Sequence, residues 1–337
     1  MSPKLETDRL QIAVGVILDQ HRQQVLIARR PDQTRHGGLW EFPGGKQEPG
    51  ESVLDALRRE LLEELSLHVL AAHPLLHVSH DYADLRVQLH VWVVDMWSGD
   101  PEGMQGQEFE WVPVSRLHER KFPEANLRII TALRLPELYL ITPDLSQYGD
   151  EFFSTTRALI AAGVRLLQFR SHKLALAERK QVLHRLSNLC RDTGASLLIN
   201  GEPAEVLESG AQGVHLSAAN MMALDARPLP RALLVGTSCH SAEELRHAER
   251  IGADFAVLGP VARTPTHADI TPLGWSGFQE LAGSAWQIPV YALGGLGPRD
   301  IPAARQAGAW GVAMISAIWS ARDPVAAVRD RIKIESG

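Results

Sequence analysis

The chain has 337 residues, of which 45% are hydrophobic and 22% charged, and its formal net charge is −6. This length indicates two domains, and the acidic balance gives no general basic field for a nucleic-acid polymer. Two cysteines, Cys190 and Cys239, are too few for a disulfide framework or a zinc ribbon. Four of the first ten residues are charged, which leaves no apolar core of a signal peptide, and no apolar run reaches transmembrane length. We therefore expect a cytoplasmic protein with a small-molecule substrate and no membrane contact.

The first part of the chain predicts a mixed β-sheet between helices. Residues 11–18 and 24–28 indicate two strands of a hairpin around a polar turn. Further strands are expected at 75–78, 85–96 and 109–112, and a last helix at about 124–133. The predicted domain boundaries are 1–134 for the first domain, 135–137 for a short linker and 138–337 for the second domain.

An uninterrupted helix is predicted from Val53 to Leu65, with Ser52 as its N-terminal cap and Asp55 as a short capping-box partner. Leucines at helical spacing predict a buried stripe, and another face gathers carboxylates at i, i+3 and i+4. These carboxylates are Glu60, Glu63 and Glu64. Like charges at this spacing cost an isolated helix ~0.2–0.5 kcal/mol, which a hard divalent cation offsets. The pattern predicts a magnesium site, and a solvated acidic face is the alternative.

The spacing G-x5-E-x7-R-E-U-x-E-E-x-(G)-U, with U apolar, runs from Gly45 to Leu67 and resembles the Nudix box of nucleoside diphosphate hydrolases. Ser66 replaces the last glycine, which would end the helix in a left-handed conformation. The resemblance implies a catalytic group formed by Glu51, Arg59, Glu60 and Glu63. It also implies that Mg²⁺, or Mn²⁺, is bound by the Gly44 carbonyl, Glu60, Glu63 and Glu64. Which glutamate is the general base stays open.

Flanking segments resemble MutT-type 8-oxo-dGTP diphosphatases. They lie at residues 11–15, 29–30, 39–46 and 122–126. The resemblance implies that Asn126 hydrogen-bonds the oxidised purine, that Phe42 packs near the base, and that Arg30 and the Glu41 backbone lie in the nucleotide pocket. Taken singly, Phe42 has core packing as its alternative, Arg30 an exposed strand end, and Asn126 a helix cap.

One position departs from the MutT pattern in the loop before the strand at 109–112. Gln105 stands where MutT enzymes carry a further glutamate. This departure leaves the number of bound metal ions open, and the MutT interpretation expects Gln105 near the metal site.

From residue 138 onward, eight apolar segments alternate with helical patterns, which predicts a (β/α)8 TIM barrel with its chemistry at the strand C-termini. The predicted strands are Leu138–Thr142, Leu166–Arg170, Ser196–Asn200, Gly213–Leu216, Leu233–Ser238, Phe255–Pro260, Val290–Leu293 and Gly311–Ile315.

The motifs at the ends of these strands resemble thiamine-phosphate synthase and its TenI tautomerase relatives. The resemblance implies a site for a phosphorylated ligand formed by Gln168, Arg170, Asn200, His240, Thr264, Thr266, Gly294, Gly295 and Ser316. Within this set, the paired glycines and Ser316 are the expected phosphate pocket, with a tight turn as the alternative for the glycines.

The residues that a synthase uses on a diphosphate differ. Gly201 and Asn220 stand where the synthase has magnesium-binding aspartates, and His172 and His267 stand where it has lysines. These losses argue against synthase activity. His240 is retained where TenI-type proteins transfer a proton, although it also suits a loop-orienting role. A metal cluster formed by His172, His215, His240 and His267 is a weaker alternative.

Three hypotheses follow. The leading one is Mg²⁺-dependent hydrolysis of 8-oxo-dGTP to 8-oxo-dGMP and pyrophosphate, a nucleotide-pool sanitation step in DNA repair. The second is hydrolysis of thiamine-pathway pyrophosphates, with a tautomerase barrel that acts on a thiazole phosphate. In the third, the barrel is a non-catalytic binding or dimerisation module. The oligomeric state is not predicted.

Overall fold

The computed structural model describes residues 9–19, 22–103, 108–145, 149, 151–171, 173–264, 271–283 and 286–334. Contacts divide the chain into two compact units, the first made of residues 1–134 and 285–287 and the second of residues 135–284 and 288–337. Within the described ranges, no helix is long and apolar enough to cross a membrane.

The first unit combines β-strands with two α-helices in its described part. Its strands are β1 (Leu10–Ile17), β2 (Gln24–Arg29), β3 (Trp40–Glu41), β4 (Gly44–Lys46), β5 (His68–Asp81), β6 (Arg86–Ser98) and β7 (Phe109–Pro113). Its helices are α1 (Val53–Leu65) and α2 (Leu127–Leu133), with 3-10 turns at Val114–Glu119 and Glu124–Asn126.

The strands of the first unit form two sheets. One has the order β4-β1-β6-β5 and is mixed, because β1 and β6 run parallel while the other pairs are antiparallel. The second is antiparallel, with the order β3-β2-β7. The expectation of a mixed sheet is confirmed. The hairpin prediction is wrong, because β1 pairs along its whole length with β6, and β1 meets β2 at the isolated bridge between Leu18 and Val25.

Helix α1 spans the predicted residues and packs its leucine stripe onto β1 and β2. Leu57, Leu61 and Leu65 are fully buried in a cluster with Ala13, Ile17 and Leu26. The packing is close, because a Cβ added at Gly15 would lie 3.1 Å from Leu61 Cδ1. This contact fixes the rotation of α1, so the carboxylates on its other side face the glycine turn at β4.

Helix α1 is capped at both ends, by Ser52 at its N-terminus and by Ser66 at its C-terminus. The Asp55 N–H donates to Ser52 Oγ at 3.2 Å, and the Ser52 hydroxyl donates to Asp55 Oδ2 at 2.7 Å. Ser66 ends the helix at φ 58° and ψ 25°, the left-handed conformation that glycine adopts most easily. Serine thus keeps the geometry of the glycine that it replaces.

The second unit is a closed barrel of parallel strands in the order β10-β11-β12-β13-β14-β15-β8-β9. Its strands are β8 (Leu138–Ile141), β9 (Leu166–Phe169), β10 (Ser196–Asn200), β11 (Gly213–Leu216), β12 (Leu234–Cys239), β13 (Phe255–Leu258), β14 (Val290–Leu293) and β15 (Gly311–Met314). The barrel prediction is confirmed, and the strand ends differ from it by two residues at most.

Helices surround the barrel. They are α3 (Glu151–Ala161), α4 (Leu176–Thr193), α5 (Pro203–Ser209), α6 (Ala218–Met222), α7 (Ala242–Arg250), α8 (Gly274–Ala282), α9 (Ile301–Gln306), α10 (Ser316–Trp319) and α11 (Pro324–Ile334). Inside the barrel, the fully buried rings of Tyr139, Phe255 and Tyr291 pack edge to face or tilted, with centroids 5.3–5.9 Å apart. The interior is therefore a packed core, and ligand chemistry is confined to the strand ends.

Replacing Ser66 by glycine tests the cap of α1. We expect Ser66→Gly to stabilise the first unit by about 0.5–1 kcal/mol, because glycine relieves the left-handed backbone at this position. Urea unfolding followed by circular dichroism measures the gain. Ser66→Ala is the control, since alanine has the same Cβ, and an equal gain in both variants would contradict the explanation.

Candidate functional site

Two carboxylates of α1 lie against the glycine turn of β4. A Cβ added at Gly45 would collide with the carboxylate of Glu60, so glycine is required for this close approach. The Gly44 N–H lies 3.4 Å from Glu64 Oε2. Glu63 is different: its side chain is 55% exposed and lies 3.4 Å from Arg59. The structure therefore brings Glu60 and Glu64 to the turn and leaves Glu63 at the solvent edge.

Arg59 links the acidic residues of the box. Its guanidinium donates to Glu51 Oε1 at 2.8 Å and to Glu60 Oε1 at 2.9 Å. It also donates to the Lys46 carbonyl at 3.0 Å. Arg59 thus ties α1 to the loop that carries Glu51, and these charge-assisted hydrogen bonds fix the side chain of Glu60.

Burial and like charges act on Glu64. Burial, together with the nearby carboxylates of Glu41 and Glu60, raises the pKa of Glu64 to about 7. Burial also raises the pKa of Glu41, against the opposing effect of Arg30. Carboxylates held together in this way are stabilised by a cation placed among them.

The donor set at the turn fits Mg²⁺, which prefers carboxylate and carbonyl oxygens. Among the described residues, however, no group of three or more acidic, histidine or cysteine side chains is already arranged around a common metal position. The proposed ligands Gly44, Glu60, Glu63 and Glu64 thus remain a prediction. Gln105 lies at 104–107, outside the described residues, so its expected position near the metal is untested.

The predicted base-binding residues Phe42 and Asn126 lie outside α1, in two other segments of the first unit. Phe42 is buried and stacks on Phe122, with ring centroids 5.7 Å apart and planes inclined by 22°. Asn126 is 8% exposed and stands at the cap position of α2, but its side chain makes no capping hydrogen bond. Capping therefore does not account for this buried amide.

Arg30 is linked to the carboxylates through Glu41. It forms an ion pair with Glu41, whose carboxylate in turn acts on Glu64. Its Nε also donates to the Arg35 carbonyl at 2.7 Å, which holds the loop after β2. The sequence resemblance pointed to the Glu41 backbone, and the structure adds a role for its side chain.

Sequence analysis missed Tyr82, in the turn between β5 and β6. Its hydroxyl accepts a hydrogen bond from the N–H of Ala125, next to Asn126, at 3.4 Å. Its ring packs 4.9 Å from that of His36 and 5.0 Å from the guanidinium of Arg35, which pairs with Asp84. An aromatic residue flanked by charges in a turn was the available signal, but the sequence does not place this turn beside Asn126.

A buried polar chain crosses the barrel below its mouth. Gln168 Nε2 donates to the Tyr139 hydroxyl at 2.9 Å, and that hydroxyl lies 3.1 Å from His215 Nδ1. His215 Nε2 lies 2.9 Å from Ser238 Oγ. Burial lowers the pKa of His215 to about 3, with a further contribution from Arg170. His215 is thus a neutral imidazole with both nitrogens engaged, which leaves none for a metal.

The other predicted barrel residues lie around the strand ends. Asn200 Nδ2 lies 3.5 Å from the His215 carbonyl, and burial lowers the pKa of Arg170. His240 is half-exposed, with Nδ1 3.1 Å from Glu244 Oε2. Gly294 and Gly295 follow β14 at φ 110° and φ 66°, and Ser316 begins α10 after β15. Thr264 is described, whereas Thr266, His172 and His267 lie outside the described residues.

Comparison with known proteins accounts for both units. Residues 138–318, more than half of the chain, match the family model described as thiamine monophosphate synthase. The chain belongs to the thiamine monophosphate synthase family. Residues 13–132 match the NUDIX domain model, so the first unit is a Nudix hydrolase domain. Nudix hydrolases generally use a divalent metal such as Mg²⁺. The predicted resemblance of both halves is confirmed.

Single proteins are similar to one part of the chain or the other. The thiamine-phosphate synthase of Thioalkalivibrio sulfidiphilus is 34% identical over 201 residues, covering 59% of this chain and 95% of that protein. The solved thiamine phosphate pyrophosphorylase of Pyrococcus furiosus is 27% identical with a TM-score of 0.51, covering 63% of this chain and 98% of that one. A MutT structure from a study of Aliivibrio salmonicida and Vibrio cholerae is 36% identical with a TM-score of 0.34, and the match covers 37% of this chain and 97% of that one.

The buried imidazole of His215 should make the second unit sensitive to acid. Its folded pKa lies below the usual 6.5, so the unfolded state takes up the proton first as the pH falls. Stability is then complete above about pH 6.5 and lost as the pH falls from 6.5 toward 3, by about 1.4 kcal/mol per pH unit. Urea unfolding at several pH values measures this slope. We expect His215→Gln to flatten it and exposed His184→Gln to leave it unchanged, and equal slopes in both variants would contradict this assignment.

Proposed function

We propose that the first unit is a Mg²⁺-dependent hydrolase of the MutT type that converts 8-oxo-dGTP to 8-oxo-dGMP and pyrophosphate, thereby sanitising the nucleotide pool. The observation that carries this proposal is Asn126. The residue is 8% exposed, its side chain makes no capping hydrogen bond, and it follows closely in sequence on Phe122, whose ring stacks on that of Phe42. A buried amide without such a partner is suited to the polar edge of a ligand.

The chemistry of the base explains why an amide suits this substrate. Guanine presents two acceptors on one edge, O6 and N7. Oxidation at C8 places a hydrogen on N7, so that the same edge offers an acceptor beside a donor. The Asn126 amide carries one donor group and one acceptor, and it can pair with both atoms at once. Unoxidised guanine would leave the amide oxygen facing a lone pair, which disfavours binding.

The carboxylates and Arg59 serve the phosphates. A bound Mg²⁺ supplies charge neutralisation for the triphosphate and lowers the pKa of a bound water. The carboxylate oxygens of Glu60 and Glu64 lie at the glycine turn, where they would bind the ion, and Arg59 keeps Glu60 in place. A glutamate accepts the proton of the attacking water as the bond between the α- and β-phosphates breaks. Glu60 and Glu63 are both candidates for this base.

The glutamate at the turn should be essential. We expect Glu64→Gln to lower kcat for 8-oxo-dGTP at least ~100-fold at saturating Mg²⁺, because the amide keeps the shape but removes the charge that holds the cation. Release of pyrophosphate measures kcat. Exposed Glu48→Gln, in the same turn, is the control and should retain activity. Full activity of Glu64→Gln would exclude Glu64 as a metal ligand.

The amide should set the preference for the oxidised base. We expect Asn126→Ala to lower the ratio of kcat/KM for 8-oxo-dGTP to that for dGTP by about 10–100-fold, since a lost hydrogen bond to a buried group costs about 1–3 kcal/mol. Asn126→Asp keeps the acceptor that distinguishes the two bases and removes the donor to O6, which both bases share, so this variant should lower kcat/KM for both substrates and retain the ratio. A parent enzyme without preference would remove the sanitation claim while leaving the hydrolase assignment intact.

For the second unit we propose a module that binds a small phosphorylated molecule of the thiamine pathway and does not act as a synthase. Its family membership and the left-handed glycines after β14 support the phosphate site. The residues Gly201 and Asn220, where the resemblance implies aspartates, support the loss of synthase activity.

The presence of both units in one chain favours a second candidate. In it, the first unit hydrolyses thiamine-pathway pyrophosphates, and His240, held by Glu244, transfers a proton on a thiazole phosphate in the second. Parallel kcat/KM measurements with 8-oxo-dGTP and hydroxymethylpyrimidine pyrophosphate separate the candidates. A higher value for the pyrimidine would replace the nucleotide proposal.

A further inference from the structure

The mouth of the barrel differs from what a magnesium site requires. The resemblance to thiamine-phosphate synthases implies two metal-binding aspartates, at the positions of Gly201 and Asn220. In this structure, a Cβ added at Gly201 would collide with Glu205 Oε2 and would lie 2.9 Å from Arg179 Nη2. The Cβ of an aspartate at this position would therefore meet the ends of the Glu205 and Arg179 side chains, which form an ion pair there and would have to move.

Arg179 is held from several sides. Its Nε donates to Glu205 Oε1 at 2.9 Å, and its Nη2 donates to Glu205 Oε2 at 3.1 Å. The guanidinium also donates to two backbone carbonyls just beyond strand ends: Ser171 at 2.8 Å, after β9, and Asn200 at 3.2 Å, at the end of β10. Its side chain is only 13% exposed and lies over the ring of Phe169, 5.0 Å from its centroid.

The second position is also engaged internally. Asn220 Nδ2 donates to Glu202 Oε1 at 3.2 Å, so its amide presents a hydrogen-bond donor to a carboxylate. The Glu202 N–H donates to Glu205 Oε2 at 3.2 Å, which connects this pair to Arg179. One connected network thus crosses the first turns of α4, α5 and α6, and its members are Arg179, Glu205, Glu202 and Asn220. We call it the mouth network.

The oxygens that accept hydrogen bonds from Arg179 are of the kinds that bind a hard cation. Carboxylate and backbone carbonyl oxygens are the usual ligands of Mg²⁺. Here all of them face a guanidinium, which carries a fixed positive charge and cannot be released into solution. The residues at this mouth therefore do not fit a bound metal.

We propose that Arg179 is a built-in cation that replaces the divalent metal at the mouth of the barrel, so that the second unit binds a phosphate monoester without a metal. The ligand class rests on the phosphate site of the proposed function. Chemically, a diphosphate needs a divalent ion to balance its charge and leave, whereas a monoester can be held by backbone N–H groups alone.

Mn²⁺ binding tests the cation replacement. The full chain carries Glu60→Gln, Glu63→Gln and Glu64→Gln to remove the carboxylate ligands proposed in the first unit, and the loss of the free Mn²⁺ signal in electron paramagnetic resonance counts bound ions. We expect none in this parent. Adding Arg179→Met should create one site, because the oxygens of Glu205, Ser171 and Asn200 lose their positive partner. Arg191→Met, an exposed arginine on the same helix, is the matched control and should bind none.

Two results would overturn the replacement: a bound Mn²⁺ in the parent that Glu205→Gln abolishes, or no gain in Arg179→Met relative to Arg191→Met. Circular dichroism shows whether Arg179→Met folds. If it does not, the phosphate measurement on the parent decides.

Calorimetric titration of the parent with inorganic phosphate, in EDTA and in MgCl₂, tests the ligand class. We expect the two Kd values to agree within about twofold, since no metal takes part, whereas binding that is about tenfold tighter with Mg²⁺ would overturn the proposal. Absence of phosphate binding in both buffers would instead refute the phosphate site of the proposed function, and with it the ligand class. The Mn²⁺ count would still decide the role of Arg179.

Discussion

The first unit depends on the packing of α1 against β1. Gly15 lets the leucine stripe approach the strand, and Gly45 lets Glu60 approach the turn on the other side. Both contacts are close enough to exclude a larger residue at either glycine without movement of its neighbour. The helix is therefore held in one rotation, and its carboxylates are placed by hydrophobic packing before any ligand arrives. Arg59 then orients Glu60 and Glu51 within that frame.

Local patterns account for most of what the sequence predicts. The bounds of α1, its Ser52 cap and the eight barrel strands all rest on short-range periodicity, which the folded chain preserves. The hairpin prediction was wrong because the sheet that a strand joins depends on partners distant in sequence. Strand β1 pairs with β6, and β2 pairs with β7. Tyr82 and Arg179 were missed for the same reason, since Arg179 pairs with a residue 26 positions away in sequence and Tyr82 bonds a residue 43 positions away.

Ser66 shows how a departure from a motif can be absorbed. The residue adopts the left-handed conformation of the glycine it replaces, and its N–H still bonds the Leu62 carbonyl at 3.0 Å. Because the helix ends where the motif requires, the carboxylates upstream keep their places. A substitution at a conformationally special position thus costs stability locally and leaves the chemistry intact. Gly201 is the opposite case, because the aspartate that the resemblance implies there would itself be the metal ligand.

The two units treat buried negative charge in opposite ways. In the first, burial and then the negative charges of Glu41 and Glu60 raise the pKa of Glu64, so a cation beside this carboxylate would stabilise its charged form. In the second, hydrogen bonds from Arg179 hold the pKa of Glu205 below its usual range, so the mouth network is already neutralised. A site that lacks a cation recruits one from solution, whereas a site that contains its own excludes it. Both units belong to families that act on small phosphorylated molecules, and this difference in charge balance underlies the two proposals, a metal-dependent hydrolase in one unit and metal-free phosphate binding in the other.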